Sequence, residues 1–302
     1  MTSVLRSPIS VFRLPSSVLR PRISVIIPCY NCVRFVEATL ESVCRQQPGV
    51  DLEVIVVDGG STDGSLEILE RYRGDVTHLI SEPDDGHYAA VNKGMAMATG
   101  DVLCWLNSDD MFMPGALSVV ADVFAAFQEV AWITGIPGVW DTAGRLVYVN
   151  ESVPVYGQKY LSKGEHDGLL LHGVQQESCF WRRSLWQKVG GIDCRYDLAG
   201  DFDLWARMAE HAELVTVSTV LGGNRRHAEQ RSNRFHKKYF EQVRSIRNNH
   251  GGRAWLEEML QKVPSYRLKL LLRRLCFPGK GFFILADPNG GWKTCQDWIS
   301  RG

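Results

Sequence analysis

The sequence predicts an α/β fold with a mostly parallel central sheet flanked by helices, and three observations lead there. Ile23–Pro28, Leu52–Val57 and Val102–Leu106 are short apolar runs, mostly β-branched, too short for ordinary helices and continuous enough to be strands buried on both faces. The segments after them repeat apolar residues at helical spacing. Each run also ends abruptly in polar residues: Cys29-Tyr30-Asn31, Asp58 through Ser65, and Asn107 through Asp110. In open α/β sheets ligands sit just beyond the carboxyl ends of the strands, so these endings are the candidate site.

In chain order, the first run is stopped at Pro28–Asn31. Asn31 is placed to cap a helix carrying Val33, Val36, Leu40 and Val43. After the second strand, a glycine-containing loop from Asp58 leads to a helix from about Ser65 to Tyr72, then a strand at Val76–Ile80. The breaker-rich turn Ser81–Gly86 precedes a helix with Tyr88, Val91, Met95 and Ala98 on one face, with Gly100 as its expected left-handed terminator. Right-handed crossovers would bring the polar strand ends to one edge of the sheet.

Beyond Asp110 the pattern predicts a helix at Gly115–Phe127, a strand at Val130–Thr134 and a hairpin from Gly138–Trp140 to Arg145–Val149. Residues 150–175 show weak periodicity and read as a mobile substrate-covering loop. A strand at Glu177–Arg182, a helix at Arg183–Val189, the turn Gly190–Asp193, a helix opening at Asp201-Phe202-Asp203 and a strand at Leu214–Val220 follow. Arg226-His227 closes this half. Residues 233–276 read as helical, and Tyr266–Cys276 is basic and apolar enough either to lie in a lipid headgroup layer or to pack on its own domain with its cations snorkelling.

Composition narrows the function classes. With 302 residues, 45% hydrophobic and 23% charged residues, the chain has material for a sizeable core. A formal net charge of zero argues against a nucleic-acid partner. No apolar run reaches membrane-spanning length, so a cytoplasmic protein, at most peripheral at the inner face of the plasma membrane, is expected. The eight cysteines lack a metal-binding pattern beyond Cys29-x-x-Cys32 and read as free thiols. Residues 1–21 are rich in Arg and Ser and lack acids, which fits a disordered basic tail; a transit peptide or an early start codon shares that composition.

The chemistry concentrates at Asp109 and Asp110. Adjacent carboxylates with no Lys or Arg beside them in sequence repel each other, and make sense if a divalent cation sits between them and a polyanionic ligand; a polar turn before the next helix is the plainer alternative. Neither G-x-G-x-x-G nor G-x-x-x-x-G-K-[ST] is present, which removes the dinucleotide-binding and P-loop readings.

Taken together, Ser24–Asn31 (SVIIPCYN), Asp58–Ser65 (DGGSTDGS), Gly86–Asp110, Gln176–Asp193 and Ala199–Trp205 (AGDFDLW) resemble the family 2 glycosyltransferases, which have the GT-A fold. The resemblance covers roughly residues 22–232. It implies a glycosyltransferase domain with a nucleotide-binding half at 22–110 and an acceptor half at 111–232, followed by a helical region at 233–302. It further implies an inverting enzyme using a nucleotide-sugar, with Mg²⁺ or Mn²⁺ as cofactor and a glycan or lipid-linked glycan as acceptor in cell-surface polysaccharide synthesis. Pro28, Tyr30, Asn31, Asp58, Asp84, Asn92 and Asp109 would then contact the donor. Asp110, with Asp109 and His227, would hold the metal, and Asp201 would be the catalytic base; His227 also fits a surface histidine. Two departures stand out: Gly200 where members often have Glu, and Ala89 where similar sequences often carry Asp. A nucleotidyltransferase, or a domain that binds without turnover, are the alternatives.

Overall fold

The computed structural model describes residues 11–12, 19–46, 49–287 and 291–298. The first half runs β1 (Val11–Phe12), β2 (Ile23–Cys29), α1 (Val36–Cys44), β3 (Leu52–Asp58), α2 (Ser65–Arg71), β4 (His78–Ser81), α3 (His87–Met97), β5 (Val102–Trp105), β6 (Met111–Phe112) and α4 (Ala116–Ala126). Next come β7 (Trp132–Thr134), β8 (Gly138–Trp140), β9 (Leu146–Val149), α5 (Gln158–Leu161), β10 (Phe180–Arg182), α6 (Arg183–Val189), α7 (Gly200–Ala209), β11 (Leu214–Val217) and β12 (Gly222–Arg225). The last stretch is α8 (Arg231–Arg234), α9 (His236–Asn249), α10 (Ala254–Gln261), α11 (Tyr266–Cys276), β13 (Lys280–Ala286) and β14 (Trp292–Trp298).

The main sheet has the order β1-β14-β13-β11-β7-β10-β5-β2-β3-β4 among the described residues. The chain steps outward from β2 through β3 to β4, then crosses back to lay β5 on the other side of β2. All of these pairs are parallel. The reversal between β2 and β5 opens a crevice at the strand ends, the usual ligand position in such sheets. Register keeps the rim level: Cys29 lies beside Asp58, and Asp58 beside Ser81. A smaller sheet, β6-β12-β8-β9, stands beyond β5.

Burial explains the strands. All seven residues of β2 and all four of β5 are buried, as expected where helices cover both faces. On one face Val36, Leu40 and Val43 of α1 meet Leu117, Val120 and Phe124 of α4. On the other, Trp105, Trp132, Trp181 and Trp205 pack together, with Trp105 and Trp205 stacked at 5.7 Å. At the opposite end from the crevice, Glu53 is buried and accepts from Ser24 Oγ (2.5 Å), Thr99 N (2.8 Å) and Thr99 Oγ1 (2.7 Å). This network ties β2, β3 and the entry to β5 into one block.

Several expectations are corrected. Asn31 caps no helix: α1 starts at Val36 without a side-chain cap, and Asn31 adopts φ +49° and accepts from Thr62 N (2.9 Å), joining the first two strand-end loops. Gly100 is not left-handed; it is required because a Cβ there would lie 2.5 Å from Ser24 Oγ. Residues 150–175 are a packed layer and not a covering loop. Val155, Tyr156, Leu161, Leu170 and Leu171 are buried, and Asp167 and Glu165 pair with Arg247 and Arg253 from the C-terminal region. The helical region expected at 233–302 ends in a hairpin, β13–β14, whose β13 pairs in parallel with β11 and so extends the main sheet. In the expected N-terminal tail, Val11–Phe12 form a strand on β14; residues 1–10 and 13–18 lie outside the described residues.

Burial tends to raise the Glu53 pKa, but hydrogen bonds from Ser24 and Thr99 and the charge of Arg22 outweigh it and hold the carboxyl below the usual glutamate range. A depressed carboxylate pKa contributes stability above the unfolded value and loses it as pH falls through the folded one. Glu53→Gln should therefore lower unfolding free energy by about 2 kcal/mol at neutral pH. Denaturant titrations should show the gap between wild type and variant closing below about pH 4.

Candidate active site

Beyond the ends of β2, β3, β4 and β5 lies a cleft of about 1070 Å³. Its walls include Pro28, Tyr30, Asn31, Asp84, Asp109, Asp110, Asp201 and His227, so eight side chains singled out from sequence share one cavity. Each arrives by a different route. Tyr30 is 66% exposed at the mouth, a free aromatic face. Asp84 accepts from Gly86 N (2.8 Å) in the turn before α3 and lies against the backbone of Gly59.

Two expected donor residues are not on the wall. Asn92 instead clamps the turn before α7: its amide donates to the Ile192 carbonyl (2.9 Å) and accepts from Ile192 N (3.0 Å). Asp58 is fully buried behind the rim, accepting from Ser81 Oγ (2.7 Å), Ser61 N (3.0 Å), Gly60 N (3.2 Å) and Ser61 Oγ. Its carboxylate shapes the loop that follows β3. A buried acid that closes a turn and one that meets a ligand look the same in sequence.

The acid pair is held across the molecule. Asp110 is buried; one oxygen accepts from Arg225 N (2.7 Å) on β12, the other from Asn107 Nδ2 (2.9 Å). Asp109 Oδ2 lies 2.9 Å from His227 Nε2. The pair therefore does have a cationic neighbour: Arg225 Nε donates to the Asp109 carbonyl at 2.8 Å, brought from over a hundred residues away. Even so, burial first, then the charges of Asp109 and Glu177, push the Asp110 carboxyl well above the carboxylate range. Glu177 is the largest omission from the sequence reading. Its carboxyl meets that of Asp110, and it too is raised by burial, to about 7. Only its place beside Gln176, in a segment read as a strand, could have drawn attention to it.

This donor set suits a divalent cation bound with a diphosphate. Oxygen ligands predominate, the carboxylates carry uncompensated repulsion, and Asn107 Oδ1 is buried without a hydrogen-bond partner among the described residues. No three His, Cys, Asp or Glu side chains among the described residues converge to form a cage. Mg²⁺ typically takes one or two carboxylates and completes its shell with phosphate and water.

Across the cleft, Asp201 opens α7. Its Oδ1 is 3.1 Å from the Tyr88 hydroxyl and accepts from Phe202 N (2.9 Å). Burial raises its pKa, and the two hydrogen bonds oppose that rise. The absent acid at Gly200 has a steric cause: a Cβ there would lie 2.8 Å from the Tyr88 ring and from Ile192. Tyr88 fills that space and reaches the carboxylate. Tyr239 of α9 also lines the cleft, and Gln242 accepts from Leu198 N and Ala199 N (both 3.1 Å), fixing the turn before Asp201. The C-terminal region is thus part of the site. Tyr88 reads in sequence only as an apolar helix position, and Tyr239 falls in the stretch 233–276, read only as helical.

A doubly wound sheet whose strand ends deliver an acid pair opposite a helix-borne carboxylate defines the GT-A glycosyltransferase class. Residues 24–180 match the family model described as glycosyl transferase family 2. An uncharacterised glycosyltransferase of Mycobacterium tuberculosis is 31% identical over 202 residues, 67% of this chain and 74% of its own. A PGL/p-HBAD biosynthesis glycosyltransferase of the same organism is 32% identical over 200 residues, 65% of this chain and 73% of its own. Among solved structures, S. aureus TarS in complex with UDP superposes with a TM-score of 0.57 at 19% identity, covering 85% of this chain and 72% of that one. A mannosyltransferase from Pyrobaculum calidifontis in complex with GDP-Man and Mn²⁺ gives 0.55 at 21%, covering 80% and 67%. The chain belongs to glycosyl transferase family 2 and is a glycosyltransferase.

The Gly200 contact makes a testable point. Gly200→Ala should force Tyr88 away from Asp201 and cut transferase turnover by about 10- to 100-fold, the usual cost of misplacing a catalytic group by an ångström. Steady-state kinetics would show the loss in kcat, with binding of nucleoside diphosphate by calorimetry unchanged.

Proposed function

We propose that this enzyme transfers a sugar, with inversion at the anomeric carbon, from a nucleotide-sugar to a hydroxyl of a glycan or lipid-linked glycan acceptor in cell-surface polysaccharide synthesis, working at the cytoplasmic side of the membrane. The observation that carries this reading is the meeting of Asp109, Asp110 and Asp201 in one cleft beyond the strand ends. The names of the mycobacterial relatives, and the nucleotide and Mn²⁺ bound in the structural neighbours, support it.

In this reading Tyr30 offers its ring to the nucleotide base and Asp84 accepts from base or ribose. Asp58 acts from behind, through the loop it folds, and Asn92 through the acceptor-side turn it clamps. Asp110 holds the divalent cation, Mg²⁺ or Mn²⁺, with Asp109 and His227 beside it. When bound, that cation would neutralise the charge developing on the nucleoside diphosphate leaving group. Arg34 and Arg231, on the same wall, add positive charge for the phosphates.

Asp201 supplies the other half of the chemistry. The acceptor oxygen attacks the anomeric carbon, the bond from that carbon to the diphosphate oxygen breaks, and the acceptor proton passes to the Asp201 carboxylate. Attack from the face opposite the leaving group inverts the configuration. Burial of Asp201 makes it a better proton acceptor than a solvated carboxylate, while the Tyr88 hydroxyl and Phe202 N, both on Oδ1, orient the carboxylate so that Oδ2 receives the proton. Glu177, between the two acids, is placed to accept a hydroxyl of the transferred sugar.

Release of nucleoside diphosphate should require both a divalent metal and an acceptor. Asp201→Asn should reduce turnover at least 100-fold while nucleotide binding persists. Asp110→Ala should abolish the metal-dependent rise in melting temperature produced by UDP or GDP. Full turnover by Asp201→Asn would remove that residue from the mechanism. Release of pyrophosphate would instead make the enzyme a nucleotidyltransferase.

A further inference from the structure

The helix α11 carries a face that the fold leaves uncovered. Its Leu272 and Cys276 turn inward against Leu256, Leu260 and Phe277. On its outer side Leu268, Leu271 and Leu275 are 44%, 53% and 68% exposed. Their spacing of three and four residues aligns them in one stripe. Arg267 and Arg274, both exposed, flank it, and the helix contains Lys269 and Arg273 but no acid. An apolar stripe bordered by cations, on a helix too short to span a bilayer, is the composition of a segment that lies in a headgroup layer.

A second feature adjoins it. The last turn of α11 forms one wall of a cavity of about 330 Å³, lined by Lys159, Tyr160, Lys163, Glu165, Arg253, Leu275, Cys276 and Pro278. Glu165 is taken up by Arg253 through two hydrogen bonds of 2.7 and 2.9 Å, so that pair is neutral. No carboxylate among the described residues forms a salt bridge with Lys159 or Lys163, and the cavity keeps a net positive charge beside an exposed leucine. From this juxtaposition of a leucine stripe, its flanking arginines and a cationic cavity, we infer that α11 and the cavity together dock the enzyme on an anionic phospholipid surface. The leucines enter the boundary between headgroups and acyl chains, and Lys159 and Lys163 take a lipid phosphate.

Charge makes a second copy of the chain the poorer occupant. A twofold interface sets the same patch against itself, so two cationic helix faces without an acid would meet. An anionic leaflet instead favours each cation, by about fivefold in partitioning per Lys or Arg near the surface.

The test is flotation of the full chain with vesicles, read without any turnover, so that its failure is separate from failure of the proposed reaction. The protein should float with phosphatidylcholine–phosphatidylglycerol vesicles and not with phosphatidylcholine alone. Leu271→Glu with Leu275→Glu should weaken binding at least tenfold, and Lys159→Glu with Lys163→Glu by a similar factor. Melting temperatures should match wild type; should the glutamate pair melt early, Leu271→Ser with Leu275→Ser replaces it. Absence of binding to anionic vesicles, or binding unchanged in either double variant, would overturn the inference. So would a thermal shift from inorganic phosphate through the two lysines without vesicle binding, or a dimer in light scattering that the leucine variants dissociate.

Discussion

The hydrogen bond from Arg225 N to Asp110 Oδ1, 2.7 Å long and buried, joins two parts of the chain that neither local sequence nor the main sheet connects. Asp110 follows the end of β5, and Arg225 ends β12 in the smaller sheet. The contact continues the pairing of β6, which directly follows Asp110, with β12. The second sheet thereby becomes a wall of the cleft, and Asn107 and Asp109 are set with it. Buried hydrogen bonds to a charged group are among the stronger polar contacts in a protein, because an unmatched donor or acceptor there loses its solvation without return.

The other wall depends on a different kind of constraint. Asp201 needs a firm base, and the stacked indoles of Trp105 and Trp205 give one, since they link the floor of the cleft at β5 to the inner face of α7. Close-packed interiors transmit small displacements instead of absorbing them. The turn ahead of Asp201 is fixed from outside by Gln242 of α9. The Asp201 carboxylate is thus bracketed by the aromatic core on one side and by the C-terminal helices on the other. This is why those helices cannot be separated from the catalytic domain at residue 232.

The first half of the fold is legible in the sequence because β2, β3 and β5 are buried and read as continuous apolar runs. Ile23–Cys29 and Leu52–Asp58 end within a residue of the runs that announce them. Beyond Thr134 the signal fades, and the reason is visible: strands such as Phe180–Arg182 and Gly222–Arg225 are three or four residues long, and the layer at 150–171 packs through single side chains without a repeating face. The hairpin at 280–298 went unread since its strands lie near one edge of the sheet. The acids of the site were legible as residue types at strand ends. What sequence did not distinguish was an acid facing the cleft from one closing a turn, as Asp58 does, or a tyrosine in the core from one touching the Asp201 carboxylate, as Tyr88 does.

That last pair leads to the strain the site places on the fold. Asp109, Asp110 and Glu177 stand close in a medium that solvates them poorly, and a further carboxylate at Asp201 faces them. Such a cluster works against folding until a cation or a proton compensates it. Elsewhere the buried charges are paired: Glu53 at the far end of the sheet meets three donors, and Arg247, buried between Asp167 and Glu257, meets each at 2.6 Å. Satisfied buried networks fix a unique arrangement. The carboxylates that raise one another by burial and like charge stand together at the crevice between β2 and β5, where water screens charge poorly.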